Sequence, residues 1–315
     1  MPSLKVRLLV LAVLLCAAIK LLAATPRAIP IVLDTDIGGD IDDAFALALV
    51  LASPELDLRA VTTVSGDTQA RARIAAKLLS EAGRRDVPVA AGEEGRKLDT
   101  SQAVWAEGFT GPALRSEKAI DLMKGEIELG HGETVLVAIG PLTNIAAVLK
   151  QHPEEKKRIK RIVLMGGSIA RGYYPNSGPT AEYNIAADVA ASQVVFTSGV
   201  PIVMAPLDVT ARLQVEAPQR QRLFAQSRPV IEALHQLYVL WAKATPDLQG
   251  IPTLHDPMAV SLLIDPGLCV LKPMAIEIDA QGMTRGSTGG PSNATVAVET
   301  DPARFIDFYL RRVAP

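Results

Sequence analysis

Five aspartates, Asp34, Asp36, Asp40, Asp42 and Asp43, stand within ten positions of the segment VLDTDIGGDIDDAFAL, residues 32–47, with apolar sequence on both sides. Carboxylates this close repel one another, and some must hold protons unless a cation sits among them. Oxygen-rich sets of this kind suit the hard cations Ca²⁺ and Mg²⁺. Acids in the first turn of a helix are favoured by its dipole, so one or two of the five can be ordinary caps, but capping does not account for all of them. Gly38 and Gly39 permit a tight turn. A glycine-rich turn at a helix start can also hold phosphate, although the surrounding acids would repel it.

The elements around the cluster follow from hydrophobic spacing. IPIVLDTD reads as a buried strand that ends in acids, and DDAFALALVLASP as a helix stopped by Pro54. LDLRAVTTVSG is a second β-rich run, and TQARARIAAKLLSEAG an amphipathic helix with Gly83 at its end. VPVAAG is a short strand, and ETVLVAIGPLTNIAAVLKQHP repeats the strand, loop and helix. RIKRIVLMGG predicts a strand, AADVAASQVVFTSG a helix and PIVMAPLDVT a strand. SRPVIEALHQLYVLWAKATP predicts a long helix and DPMAVSLLID a shorter one. MAIEIDAQGMTRGSTGGPSNATVAVET alternates like a hairpin with a glycine-rich turn, and PARFIDFYLRRV closes as a helix. Strands alternating with helices imply an α/β fold with a mostly parallel central sheet flanked by helices. Ligands of such open sheets bind at the C-terminal ends of the strands, where the polar clusters of this sequence fall.

The chain has 315 residues, 49% of them hydrophobic and 21% charged, which supplies a sizeable core and argues against disorder. Its net charge is −2, no long basic run occurs and aromatics are 4%, so it lacks the footprint of a nucleic-acid binder. No linker or fixed-period repeat divides it. Lys5 and Arg7 precede the apolar run LLVLAVLLCAAI and the small residues LAAT, the layout of a signal peptide over residues 1–24, leaving one catalytic domain over 25–315. The run is short for a membrane span, and an uncleaved N-terminal membrane anchor is the alternative. Leu15 before Cys16 fits a lipidation site poorly. An exported chain, periplasmic or secreted, would keep Cys269 as its single cysteine, with no internal disulfide, as a small buried hydrophobe.

DTDIGGDIDDAFAL resembles the N-terminal signature of the nucleoside hydrolases, the inosine–uridine-preferring N-ribohydrolases, usually written DxDPGxDDA. Ile37 replaces the proline and two extra residues precede the paired acids, a longer loop found in some bacterial branches. AVTTVSGD, AIGPLTNIA, LMGG, NSGPTAEYNIAADVAAS and HDP at 255–257 resemble further family segments in the family's order, from about residue 30 to 260. The resemblance implies an open Rossmann-like fold and Ca²⁺-dependent cleavage of the N-glycosidic bond of ribonucleosides.

The chemistry explains the residue types. The bond breaks through a ribosyl cation and water attacks the anomeric carbon. A cation can hold water and ribose hydroxyls and lower the water's pKa, and a carboxylate can accept the proton. By resemblance Asp36 is the base and a calcium ligand, with Asp43, Asp256 and the Ile139 carbonyl as further ligands. Asp42, Asn176, Glu182 and Asn184 would hold ribose hydroxyls, and His255 would contact the base. Asp67 stands where many members have asparagine; it is given a pocket role, with pairing to Arg71 or Arg73 as the alternative. Asp34 reads as a loop brace, and Asn144 as a helix cap or loop brace rather than a substrate ligand. His235, Tyr238 and Trp241 share a helix face, a stripe more common in cores than in base pockets. Purine or pyrimidine preference stays open, and family members are commonly homodimers or tetramers. Two rivals remain: an exported nucleoside- or sugar-binding protein without turnover, and a Mg²⁺-dependent DxD phosphatase, whose second acidic pair would come far downstream rather than at Asp42 and Asp43.

Overall fold

IPIVLDT and RIVLM show no polar alternation, as expected of strands covered on both faces, and both lie inside one sheet. The computed structural model of the chain describes residues 27–94 and 100–315, so the segment read as an export signal lies outside the described residues. Among the described residues nine strands form the sheet: β1 Ile29–Thr35, β2 Leu56–Thr63, β3 Val89–Ala91, β4 Val135–Ala138, β5 Arg161–Met165, β6 Ile202–Ala205, β7 Cys269–Ile278, β8 Thr284–Ser287 and β9 Ala294–Thr300. Their order is β3-β2-β1-β4-β5-β6-β9-β7-β8. Neighbours from β3 through β9 are parallel, while β7 is antiparallel to both β9 and β8. The mostly parallel α/β architecture is thus as the sequence predicts.

The helices are α1 Asp42–Leu51, α2 Thr68–Glu81, α3 Ala119–Leu129, α4 Thr143–Gln151, α5 Tyr183–Ala186, α6 Val189–Phe196, α7 Leu207–Thr210, α8 Ala217–Phe224, α9 Pro229–Ala244, α10 His255–Ile264 and α11 Pro302–Val313. Alternation along the strands divides the core in two. Ile31 and Leu33 of β1 join one apolar cluster, and Val32 between them joins the other, on the opposite face of the sheet. Helix α1 is buried from Asp42 to Val50. It packs against α10, itself buried from Asp256 to Leu263. Neither helix has an exposed face to make polar, which explains the apolar runs that follow the polar residues at their starts.

Three local expectations change. PIVMAPLDVT is half strand and half helix: β6 stops at Ala205, and Pro206, which has no N–H to continue the ladder, precedes α7. In the C-terminal third the tight turn is Asp279–Met283, not the glycine-rich stretch. The Asp279 carboxylate accepts from the backbone N–H groups of Gln281 and Met283 and closes that turn. The glycines lie between β8 and β9, and β7 starts earlier, at Cys269, which is only partly buried against the core. Helices α3 and α8 were not foreseen. Gly125 weakens the helical signal of α3, and α8 buries only Leu223.

Candidate active site

The chain leaves β1 toward β2 on one side and returns to β4 on the other. The loops following β1 and β4 therefore diverge, and the crevice between them is where open α/β sheets bind ligands. A cavity of about 690 Å³ opens there. Asp36, Asp40, Asp42 and Asp43 reach it from the loop after β1 and the start of α1. Ile139 lines it from the end of β4, Glu182 and Asn184 from the start of α5, and His255 and Asp256 from the start of α10.

Asp42, Asp43 and Asp256 are buried, and each offers a carboxylate oxygen within 4.8 Å of the others. Two oxygens on one calcium ion lie no more than about 5 Å apart, so the trio fits such an ion. Burial, and then the neighbouring acids, push all three carboxyls well above the usual carboxylate range. A cation among them removes the need for those protons. The Asp256 N–H donates to Asp42, and the Thr35 hydroxyl donates to Asp43. Asp36 lies outside this trio. Burial raises its pKa to about 6, opposed by the Arg71 guanidinium.

Asp34 is a brace. Its Oδ1 accepts from Thr62 Oγ1 at 2.6 Å and Asn144 Nδ2 at 2.8 Å, and burial lifts its pKa to about 7. Asn144 also donates to the Thr63 carbonyl at 3.0 Å, tying α4 to the ends of β1 and β2. It lies inside the first turn of α4 and is not its cap.

Glu182 caps α5, accepting from the N–H groups of Asn184 and Ile185, and also takes the N–H of Gly167 at 2.9 Å. The Asn184 amide nitrogen donates to the carbonyls of Met165 at 3.1 Å and Ile139 at 3.3 Å, joining the ends of β5 and β4. Its Oδ1 carries no such bond to the strands. His255 Nδ1 lies 2.9 Å from Thr210 Oγ1, and burial lowers its pKa to about 4, so the ring is neutral at pH 7. Tyr173 meets the His255 ring edge-on, with centroids 6.1 Å apart, and its hydroxyl accepts from the Tyr183 N–H.

Two expected pocket residues are elsewhere. Asp67 caps α2, accepting from the Ala70 N–H at 2.8 Å, and does not line the cavity. Asn176 is exposed at φ +63°, while its neighbours Tyr174 and Pro175 reach the cavity rim. Of the aromatic stripe on α9, Trp241 lines the cavity. His235 stacks on Phe224, and Tyr238 donates its hydroxyl to the Gly250 carbonyl. Arg71 is a cavity residue that sequence reasoning passed over. The signal was its place on the buried stripe of α2 with Ile74, Ala75 and Leu78, where an arginine needs a partner.

Residues 31–307 match the family model described as inosine-uridine preferring nucleoside hydrolase. The chain belongs to that family. This nucleoside hydrolase is therefore an enzyme acting on the N-glycosyl bonds of ribonucleosides. It is 36% identical to the pyrimidine-specific ribonucleoside hydrolase RihA of Citrobacter koseri, over 91% of this chain and 98% of that protein. It is 38% identical, with the same coverage, to RihA of an Enterobacter species. Among solved structures, a plant nucleoside hydrolase superposes with a TM-score of 0.79 at 26% identity, covering 92% of this chain and 99% of that one. The purine-preferring ribonucleoside hydrolase of Gardnerella vaginalis gives 0.74 at 27% identity, covering 90% and 98%. The nucleoside hydrolase fold and the enzyme class implied by the sequence motifs both hold.

Proposed function

We propose that this nucleoside hydrolase is calcium-dependent, that Asp36 is its general base, and that it splits ribonucleosides into free base and ribose. The observation that carries the reading is the position of Asp36, which opens on the cavity beside three carboxylates close enough to share one ion. Asp42, Asp43 and Asp256, together with Asp36 and the Ile139 carbonyl, are the groups that would hold it. Bound there, calcium would acidify a water molecule and fix ribose hydroxyls.

The chain's own residues supply the rest. Asp36 accepts a proton from the attacking water as the water oxygen bonds to the anomeric carbon. The bond to the base breaks with its electron pair leaving on nitrogen, and positive charge develops on the ribose ring. The acids around the cavity stabilise that charge where it forms. Asn184 takes a ribose hydroxyl at Oδ1, since its nitrogen is held by two carbonyls. Glu182, with both oxygens already fixed by backbone N–H groups, accepts a second hydroxyl in a set position. Asp42, at the start of α1, is a further hydroxyl acceptor in the same cavity. His255, uncharged and with Nδ1 at Thr210, presents Nε2 as its remaining nitrogen for the base.

Uridine and cytidine are the first substrates to try, because the relatives at 36% and 38% identity are named pyrimidine-specific. We also propose export through residues 1–24 and assembly as a homodimer or tetramer. N-terminal sequencing of the mature protein and light scattering test these two points. The reaction is tested by ribose release from purine and pyrimidine nucleosides, with and without a calcium chelator. Chelator-sensitive release is expected. No release from any nucleoside by folded, calcium-supplied protein would refute the proposal.

A further inference from the structure

Arg71 is 1% exposed, yet it lines a cavity walled by acids. It sits in the first turns of α2, with two of its donors spent on main-chain carbonyls from different loops. Nε donates to Ser65 at 2.7 Å and Nη1 to Ile37 at 3.0 Å. Its Nη2 then lies 4.0 Å from Asp36 Oδ2.

Both anchoring loops are unusual. Ser65 adopts φ +67°, a left-handed conformation that non-glycine residues seldom take. Gly38, next to Ile37, has φ +107°, and a Cβ there would come within 2.6 Å of Ile74 Cδ1. Arg71 and Ile74, three apart on α2, therefore back the loop that carries the two additional residues before Asp42. Gln102 holds the same loop from elsewhere, its Nε2 donating to the carbonyls of Gly39 at 3.0 Å and Asp40 at 2.9 Å. The loop is fixed at three carbonyls, and Asp36 stands at its start.

A buried guanidinium carries a large desolvation cost, which a planar fork offsets better than an ammonium when two acceptors lie at fixed angles. Here the fork stops the charge from moving. Asp36 stands beside that fixed charge and close enough to the trio to raise the pKa of Asp43 and Asp256.

We propose that Arg71 is a positioning residue for hydrolysis, holding the longer loop and turning the Asp36 carboxylate toward the reacting water. This rests on the reading of Asp36 as base given above. It differs from a purely structural cross-link in what fails when the side chain is lost. A loosened loop would lose calcium affinity, KM and kcat together. Misaimed Asp36 would lose kcat, while calcium affinity holds because the close carboxylate trio stays in place and the loss of a positive charge from the acidic centre offsets a weakened contact from Asp36.

The test compares Arg71→Met and Arg71→Lys with the wild type. Calcium is titrated by calorimetry without substrate, kcat and KM are measured by ribose release, and melting is followed to confirm folding. Arg71→Met should lower kcat about 100-fold, the scale expected for a misplacement of about 1 Å. KM and the calcium Kd should stay within about threefold of wild type. Arg71→Lys keeps the charge without the fork and should lose about tenfold in kcat with the same split. Parallel loss of calcium affinity, KM and kcat in a folded variant would overturn the proposal, as would an unchanged kcat. If Arg71→Met does not fold, Arg71→Lys decides by the same two criteria. Absence of ribose release from the wild type would overturn the hydrolysis mechanism and this proposal with it; release by the wild type and unaltered variants would overturn this proposal alone.

Discussion

The backbone N–H of Asp256 donates to the Asp42 carboxylate at 3.2 Å, so the first turns of α1 and α10 meet although 214 positions separate the two residues. Their helix starts, Asp42–Asp43 and Asp256, supply the tightest acidic group in the cavity. Asp256→Ala keeps the backbone donor and removes one carboxylate. Partners outside a metal's ligand set are worth about 10–100-fold in affinity, so loss of a direct ligand should weaken calcium by at least that much in calorimetry. An unchanged Kd would show that Asp256 is no ligand.

Asp36→Asn keeps the shape of the side chain and removes the proton acceptor. General-base catalysis contributes about 10²–10⁴-fold, and kcat should fall by that range while the melting temperature holds. Near-normal turnover in the folded variant would remove Asp36 as base.

The acidic centre also sets a pH dependence. Burial lifts Asp34 from 3.8 to about 7 and Asp36 from 3.8 to about 6, and raises Asp42, Asp43 and Asp256 as well. A carboxyl raised on folding contributes its stability below its unfolded pKa and loses it as pH rises through the folded value. His255 acts in the opposite sense: lowered from 6.5 to about 4, it contributes fully above 6.5 and loses that contribution as pH falls toward 4. Five carboxyls outweigh one imidazole, so metal-free protein should become less stable between pH 4 and pH 7. Calcium replaces the protons of the carboxyls that would hold it, so the loaded protein should follow only through Asp34, which braces the strand ends away from the ion. The gap between loaded and metal-free melting temperatures should therefore widen by about 4 °C or more from pH 5 to pH 8. A constant gap would contradict the linkage.

Asp67 gives a test of placement. As the cap of α2, Asp67→Ala should cost about 1 kcal/mol in denaturant unfolding and leave KM for nucleosides unaltered. A raised KM without lost stability would return the residue to the pocket.

The strand-ending acids were legible in the sequence because β1 is a continuous apolar run, and an acid at its end has few structural reasons to be there. The HDP segment was legible only through its resemblance, since nothing local in a buried helix start reveals a partner 214 positions away. Asp67 shows the limit of position-by-position transfer: the residue is in the expected segment, but its carboxylate turns back to the Ala70 N–H. Arg71 was missed for another reason. Helical spacing marks a face as buried without saying whether a charged member points to solvent or to an acid, and that is settled by the carbonyls of Ile37 and Ser65. The turn at Asp279 was misplaced because glycine content drew attention from a carboxylate that closes a turn unaided.

The pairing of α1 with α10 has a consequence for biosynthesis. A nascent chain exposes its acidic loop and the apolar helix behind it long before Asp256 is translated. The surface that will cover α1 does not yet exist, and neither does the third carboxylate. Early folding of the first strands can proceed, but the centre closes only once Asp256, at the start of the last fifth of the chain, has emerged and docked. A ribosome that stops before residue 256 therefore releases a chain that lacks one of the three carboxylates of the acidic centre and the helix that covers α1.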